Sequence, residues 1–237
     1  MKLELVIPTI NRLKKLSNCL DSIIKAKKDN DIVLTLYFTD LKELDIISDK
    51  YNLDWISFSV IEEYRVPTFW NKCLNLLKSD ALCYLNDDIE LYEDTISNIC
   101  DIYPQYFPDF DGILGIHQTN LPESQVVKTA FGIIGKKYIN RFPENQVYCP
   151  DYYRFFGDYE MYLYAKEIDK FKYNKKIKLK HFHPAFDLRM VDDTHKNVRK
   201  WLPIDKIIFR ERQELGWLWG KDFNLLRKKI ERGFLNG

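Results

Sequence analysis

A run of apolar residues in the middle of the chain ends in a group of acids. Residues 81–85 form the run, and Asn86, Asp87 and Asp88 follow at once. Carboxylates held close together repel each other unless a cation or a bound partner offsets their charge, and hard divalent cations prefer oxygen ligands. The sequence therefore predicts either a metal site or a solvated strand end whose acids cap the next turn.

Strands and helices alternate through the first hundred residues. Amphipathic helices are predicted between β-rich runs; the second opens at a capping box of Asp40 and Glu43, and the third opens near Pro67. The predicted strands are 3–7, 32–38, 55–61 and 81–85. This alternation predicts an α/β fold with a mostly parallel mixed sheet flanked by helices.

The carboxyl ends of these strands are the expected ligand-binding edge. Ligands bind beyond that edge in open α/β sheets. Residues 8–12, 39–40 and 86–88 would all lie there. This position favours the metal-site interpretation of the acids.

The second half of the chain is less regular. Strands are predicted at 112–118 and at 129–139, where the second turns into a helix near Lys136. A helix over 155–168 carries Asp158 and Glu160 in its first turn, where acids are favoured. The remaining predicted elements are a half-buried strand at 175–186 that carries His181 and His183, and C-terminal helices near 204–215 and 223–230.

Composition describes a globular protein. Of 237 residues, 46% are hydrophobic and 30% are charged, and no apolar run approaches the roughly 20 residues that span a bilayer. The start of the chain lacks the cleavage site of a signal peptide. The five cysteines show no paired spacing and indicate reduced thiols, so we expect a cytoplasmic protein without a transmembrane segment.

The charge is unevenly distributed. Residues 161–237 carry 19 Lys and Arg against 10 Asp and Glu, whereas residues 1–160 carry 17 against 25. An acidic front and a basic back suit a cation site that faces an anionic ligand such as a phosphate or a nucleic acid, although solvated surface faces give the same totals.

The order of the motifs resembles the family 2 glycosyltransferases and their relatives with the GT-A fold, over roughly residues 3–186. "LVIPTINR" is similar to the opening strand and nucleotide-binding turn, and "VPTFWNKCLNLLKSDALCYLNDDIEL" to the asparagine-bearing helix and DxD-type strand end. "FGIIGKKYI" resembles the acceptor-side strand, "FFGDYEMYLYAK" the motif of the catalytic base, and "HFHP" a late histidine that completes a metal shell. Asn86 departs from this pattern, because it cannot supply a second carboxylate.

The resemblance implies a single GT-A domain over 1–237. Residues 1–100 would bind the nucleotide sugar, residues 101–200 would hold the acceptor and the catalytic groups, and residues 201–237 would form a helical tail. The implied donor is a nucleotide diphosphate sugar, with a UDP-sugar preferred. Its predicted contacts are Pro8, Thr9, Asn11, Arg12, Asp40, Arg65, Asn71, Lys72, Asn86 and Asp87.

Asp88 is the implied metal ligand, with Asp87 close by, and the expected ion is Mn²⁺ or Mg²⁺. One of the two histidines would add a nitrogen ligand, and we favour His183 over His181 because Pro184 ends the strand there. Asp158 is the candidate catalytic base, and Glu160 is its alternative. Only one of them can be the base, because side chains two residues apart on a helix point in different directions and cannot both reach one hydroxyl. An inverting transfer follows if Asp158 is the base.

Other functions stay open on the sequence alone. A nucleotidyltransferase uses paired acids in a similar sheet, but the turn after the first strand lacks the glycines typical of that class. A metal-dependent hydrolase and a degenerate nucleotide- or glycan-binding module are further alternatives. The expected acceptor is a glycan or lipid-linked glycan, and the basic last third also permits a nucleic acid, such as a modified base of viral DNA.

Overall fold

The computed structural model describes residues 1–61, 65–123, 127–182 and 199–221. The predicted His183 and the second C-terminal helix lie outside these ranges. The strands are β1 (Leu3–Thr9), β2 (Ile32–Phe38), β3 (Ile56–Val60), β4 (Ala81–Tyr84), β5 (Ile89–Leu91), β6 (Ile113–Gln118), β7 (Gly132–Gly135) and β8 (Phe171–His181). The helices are α1 (Leu13–Lys27), α2 (Leu41–Lys50), α3 (Val66–Leu76), α4 (Thr95–Tyr106), α5 (Lys136–Ile139), α6 (Gly157–Glu167) and α7 (Leu202–Glu214).

All eight strands form one sheet in the order β3-β2-β1-β4-β7-β6-β8-β5. Strands β1 to β4 pair in parallel, and β6 with β8 is also parallel. The pairs β4–β7, β6–β7 and β5–β8 are antiparallel. The α/β fold with a mixed, mostly parallel sheet is therefore confirmed.

Two differences from the predicted strands bear on the site. The fourth ends at Tyr84, and after the acids the chain enters a short strand, β5, that the sequence did not indicate. The last strand is longer than predicted, since it begins at Phe171, and it ends at His181. This earlier end places His181 at the point where the strand meets the acids.

Helices cover both faces of the sheet, and each face has its own core. One core joins α1 and α4 to the sheet through residues such as Leu20, Ile23 and Ile99. The other joins α3 and α6 to the opposite face through residues such as Trp70, Tyr148 and Met161. Pro67 lies in the first turn of α3, as predicted, because that position needs no backbone N–H.

No helix in the described parts of the chain is long and apolar enough to cross a bilayer.

Candidate active site at the carboxyl edge of the sheet

The end of β1 and the end of β4 bring a threonine, an arginine and two acids together. Thr9 donates from Oγ1 to Oδ2 of Asp87 at 2.8 Å, and Arg12 donates from Nη1 to Oδ1 of Asp87 at 2.9 Å. The same guanidinium nitrogen lies 3.6 Å from Oδ2 of Asp88. These residues come from strands that are neighbours in the sheet but 75 or more positions apart in sequence. We call Thr9, Arg12, Asp87, Asp88 and His181 the acid cluster.

His181 reaches Asp88 from the far side. Its Nε2 lies 3.5 Å from Oδ1 of Asp88, and its Nδ1 lies 2.9 Å from Oε1 of Gln118. Asn120 fixes the backbone of His181 by accepting from its N–H and donating to its carbonyl oxygen. The imidazole is therefore held in one orientation. The hydrogen bond between Nδ1 and Gln118 directs Nε2 toward Asp88.

Both acids of the cluster are almost completely buried, at 2% exposed for Asp87 and 3% for Asp88. Burial, reinforced by the charge of Asp88, raises the pKa of Asp87 to about 6, although Arg12 and Thr9 oppose the shift. Burial and the two acids together also raise the pKa of the Cys19 thiol beneath them. Two carboxylates thus contact the same guanidinium, and carboxylates held this close together favour the binding of a cation.

The turn between β1 and α1 is fixed by a helix further along the chain. Asn11 has a positive φ of 53°, a conformation that asparagine tolerates better than most residues. Its backbone N–H donates to Oε2 of Glu43 at 2.9 Å. Because the buried Glu43 carboxylate bonds this turn and not the start of α2, only the Asp40 half of the predicted capping box is formed. Asp40 caps α2 by accepting from the Lys42 N–H, whereas Glu43 holds the β1–α1 turn.

The other predicted donor contacts occupy varied places. Asn71 is buried and bonds both the N–H and the carbonyl of Tyr148, which is a structural role. Arg65 is exposed and stacks over the ring of Tyr153 at 4.1 Å, and Lys72 is exposed on α3. Two further predicted contacts flank the acid cluster, Pro8 in β1 and Asn86 directly before the acids.

Asp158 is half-buried in the first turn of α6, and burial raises its pKa above the usual carboxylate range. Its charge contributes to raising the pKa of two buried tyrosines, Tyr84 and Tyr148, after their own burial. Tyr84 is the last residue of β4, two positions before Asn86. Asp158 therefore lies close enough to the end of β4 for its charge to act on Tyr84.

Glu160 is engaged elsewhere. It is 1% exposed and receives both Nε and Nη2 of Arg212, at 2.9 Å and 2.8 Å. Its Oε1 also accepts the backbone N–H of Trp219. With these partners the Glu160 carboxylate has a structural role. Of the two acids, Asp158 is therefore the better placed to accept a proton.

Several residues support the site in roles that the sequence did not predict. Glu43 fixes the β1–α1 turn, and Gln118 and Asn120 orient His181. Each supports a residue to which it lies close only in the folded chain, at a separation of 32 or more positions. No local pattern predicts these supporting contacts, although Gln118 ends a predicted strand, Asn120 follows it, and Glu43 belongs to the predicted capping box.

An open groove of about 640 Å³ borders Asp88 and runs between α1 and β5. Lys15, Asn18, Tyr92 and Phe182 are among its lining residues. Its volume is in the usual range for ligand sites. Of the predicted site residues that the structure describes, Asp88 alone lines it.

A divalent cation fits the residues of the acid cluster in type. Asp88 offers a carboxylate oxygen and His181 an imidazole nitrogen, side by side and buried. Among the described residues no three His, Cys, Asp or Glu side chains converge into a larger metal cluster. Asp88 suits Mg²⁺ as a ligand, because that ion is typically held by one or two carboxylates together with water and substrate phosphates.

No protein-family model matches the chain, and no curated protein matches it in sequence. Its structure does resemble solved ones. Residues 1–349 of TarS from S. aureus superpose with a TM-score of 0.56, at 15% identity over 80% of this chain and 63% of that one. The same part of TarS in complex with UDP matches with a TM-score of 0.56 at 14% identity over the same shares.

A mannosyltransferase, PcManGT from Pyrobaculum calidifontis in complex with GDP-Man and Mn²⁺, superposes with a TM-score of 0.58. It is 10% identical over 76% of this chain and 56% of that one. The chain thus spans about three fifths of the length of these structures. At this identity the likeness shows the fold, and the predicted GT-A fold is confirmed.

Proposed function

We propose that this chain is a metal-dependent, inverting glycosyltransferase that moves a sugar from a nucleotide diphosphate sugar to an acceptor hydroxyl. One observation carries the proposal. The two buried acids of the cluster, partly neutralised by Arg12, lie at the ligand-binding edge of a GT-A fold. Burying two neighbouring carboxylates is unfavourable unless a partner offsets their charge, and a bound cation would do so.

The donor would bind over the ends of β1 and β2. Thr9, Asn11 and Arg12 lie on the turn after β1, and Asp40 follows β2. The similar TarS structure is a complex with UDP and the PcManGT structure a complex with GDP-Man, which supports a nucleoside diphosphate sugar as the class of donor. Within that class we propose a UDP-sugar.

Asp88 and His181 would hold the metal, Mn²⁺ or Mg²⁺. The PcManGT complex contains Mn²⁺, and a mixed oxygen and nitrogen donor set suits that ion. His183, the histidine first favoured for this role, lies outside the described residues. When bound, the cation offsets the charge of the departing diphosphate. Arg12 adds a fixed positive charge 2.9 Å from Asp87, at the same edge.

Asp158 would be the general base. Its raised pKa brings it closer to neutral pH, where a carboxylate removes a hydroxyl proton more effectively. A single base that activates the acceptor for direct attack on the sugar gives inversion at the anomeric carbon. Glu160, held by Arg212, would support the helix that carries it.

The acceptor would be a glycan or a lipid-linked glycan. The comparisons lend no support to the alternative of a nucleic acid, which depends on the basic last third of the chain. Incubating the protein with duplex DNA at low salt separates the two, because phosphate contacts are strongest there. Salt-sensitive binding would favour nucleic acid, and its absence would remove it.

The decisive experiment is a thermal-shift panel of nucleoside diphosphates and their sugars, with and without Mn²⁺. A ligand that binds the folded state raises the melting temperature by mass action. We expect a UDP-dependent rise that requires Mn²⁺ and that Asp88→Asn abolishes. Asp29→Asn, which changes an exposed acid beyond the end of α1, is the matched control and should respond like the wild type.

If no nucleotide raises the melting temperature, or if the rise ignores both Mn²⁺ and Asp88, the proposed function is wrong. A positive panel should be followed by a transfer assay with the preferred donor. The anomeric configuration of the product, read by NMR, then tests the inverting mechanism. Release of free sugar at the full rate, with no acceptor required, would instead identify a hydrolase.

A further inference from the structure

A carboxylate of α7 organises the loop that leads into α6. Asp205 is 0% exposed and accepts three consecutive backbone N–H groups. Its Oδ1 accepts from Tyr153 at 2.8 Å, and its Oδ2 accepts from Arg154 and Phe155, both at 2.8 Å. Backbone N–H groups that converge in this way form an anion-binding nest, and here the anion is a side chain of the same protein.

A second contact from the same helix lies beyond Asp158. Arg212 is 3% exposed and forms a two-nitrogen contact with Glu160, one turn further along the chain than the loop. Trp219 adds its backbone N–H to Glu160 and donates from Nε1 to the carbonyl of Gln146 at 2.7 Å. Residues 205–219 thus form hydrogen bonds with the chain both before and after Asp158.

The backbone between the two contacts is in an unfavourable conformation. Phe156 has a φ of 68°, in the left-handed region that bulky residues rarely adopt. It stacks on Phe209 of α7, with ring centroids 4.8 Å apart. Such a conformation persists only where the surroundings hold it in place. It sits two residues before Asp158 and directs the chain into α6.

The orientation of α7 supports a specific role for these contacts. The helix turns Asp205 and Arg212 inward, while Leu202, Ile204 and Ile207 remain exposed. Burying charged groups instead of apolar ones is unfavourable unless each finds its partners. Both have found them, and in each case the partner flanks Asp158.

We infer that Asp205 and Arg212 are positioning residues that set the place and direction of the Asp158 carboxylate. They act through the loop at 153–155 and through Glu160 and do not touch the acceptor. This inference rests on the proposed role of Asp158 as the base. Because general-base catalysis needs the carboxylate within hydrogen-bond reach of the hydroxyl, a small displacement lowers turnover without weakening donor binding.

The test compares Asp205→Asn and Arg212→Lys with the control Glu211→Gln, an exposed acid on the same helix. Asp205→Asn keeps the size of the side chain but removes the charge and one acceptor oxygen. Arg212→Lys keeps the charge and removes the two-nitrogen contact. Three quantities are measured for each: kcat, the Kd for UDP with Mn²⁺, and amide hydrogen exchange over residues 153–160.

We expect kcat to fall by about tenfold or more in both variants, with the Kd within about twofold of wild type. Exchange over 153–160 should become faster in both, while Glu211→Gln changes none of the three quantities. Unchanged kcat with normal exchange, or a loss of donor affinity equal to the loss of kcat, would overturn the inference. If Asp205→Asn does not fold, Arg212→Lys decides by the same readouts.

The result also separates this inference from the proposed function. If the wild type transfers no sugar from any donor, the proposed function is wrong. Hydrogen exchange alone then tests whether the contacts of Asp205 and Arg212 fix residues 153–160. Faster exchange confined to 153–160 would still show that α7 fixes this segment. Exchange that is equally fast across all the helices, or that does not change, would show that it does not.

Discussion

The acid cluster and the Asp158 segment, which the proposed function treats as two halves of one site, are built in opposite ways. In the cluster the functional side chains bond each other directly: Thr9 and Arg12 hold Asp87, and His181 faces Asp88. At Asp158 the support comes from residues that bond its neighbours in the chain. Under the proposed function, the first arrangement fixes charges for the bound donor, and the second leaves a carboxylate available for a proton.

The largest expected effect is on turnover at the Asp158 half. Asp158→Asn removes the proposed base while preserving size, and we expect kcat to fall about 10²–10⁴-fold. Donor affinity should not change, because that half of the site is untouched. The measurements are kcat and the Kd for the nucleotide.

Asp169→Asn, an exposed acid just beyond α6, is the control for this change. A variant that keeps wild-type turnover would remove Asp158 as the base. A parallel loss of donor affinity would show that the two halves are not separable in the way described.

The acid cluster should respond mainly through stability. Arg12→Met leaves two buried acids without their guanidinium, which should cost about 3–5 kcal/mol in the free energy of unfolding. Urea denaturation gives this value. The double variant Arg12→Met/Asp87→Asn should cost less than the sum of its single changes, because it removes one of the stranded charges. Strict additivity would mean that the two side chains do not interact.

The pH dependence of turnover distinguishes the halves further. Burial raises the pKa of Asp158, so it stays protonated to a higher pH than an ordinary carboxylate of about 4. We expect kcat to rise with pH through that raised pKa and then to level off. A profile that levels off below pH 4 would indicate a base in a more solvated place.

A smaller effect is expected at an ion pair remote from the site. Arg141 and Lys170 bond Asp111 and lower its pKa to about 2. This carboxylate therefore stabilises the folded state above pH 4, and that contribution is lost as the pH falls from about 4 through 2.

Since both cations are partly exposed, we expect Asp111→Asn to cost about 1 kcal/mol or less near neutral pH. The difference from wild type in the free energy of unfolding should narrow as the pH approaches 2. A difference that stays constant with pH would show that the charge of Asp111 does not contribute.

Sequence patterns indicate the acid cluster more directly than the Asp158 segment. Asp87, Thr9 and Arg12 each follow a strand end, and parallel strands carry their ends to one edge, so simple periodicity brings them together. Asp158 was placed by the first-turn preference of acids and by the family resemblance. Nothing in the sequence marks Arg212 as the partner of Glu160, 52 residues away, because an arginine in an amphipathic helix is usually exposed.

The same limit applies to the fold. Helix starts at Asp40 and Pro67 follow from local capping chemistry, and both were predicted. The three-residue strand β5 has no such signal, since its pairing with β8 depends on residues about 90 positions away. Local rules therefore give the elements, whereas the pairing at the edge of the sheet comes from tertiary contacts.

The place of β5 in the sheet also sets when the site can form during synthesis. The chain passes from β4 through Asp87 and Asp88 into β5, and β5 lies at the sheet edge against β8. When residues up to about 100 have left the ribosome, β2 and β4, which pair in parallel with β1, are available. Strand β8, which pairs with β5 just after the acids, has not yet been made. Because such distant pairings form late, a nascent chain would complete the parallel strands β1 to β4 well before the sheet edge that borders the acid cluster.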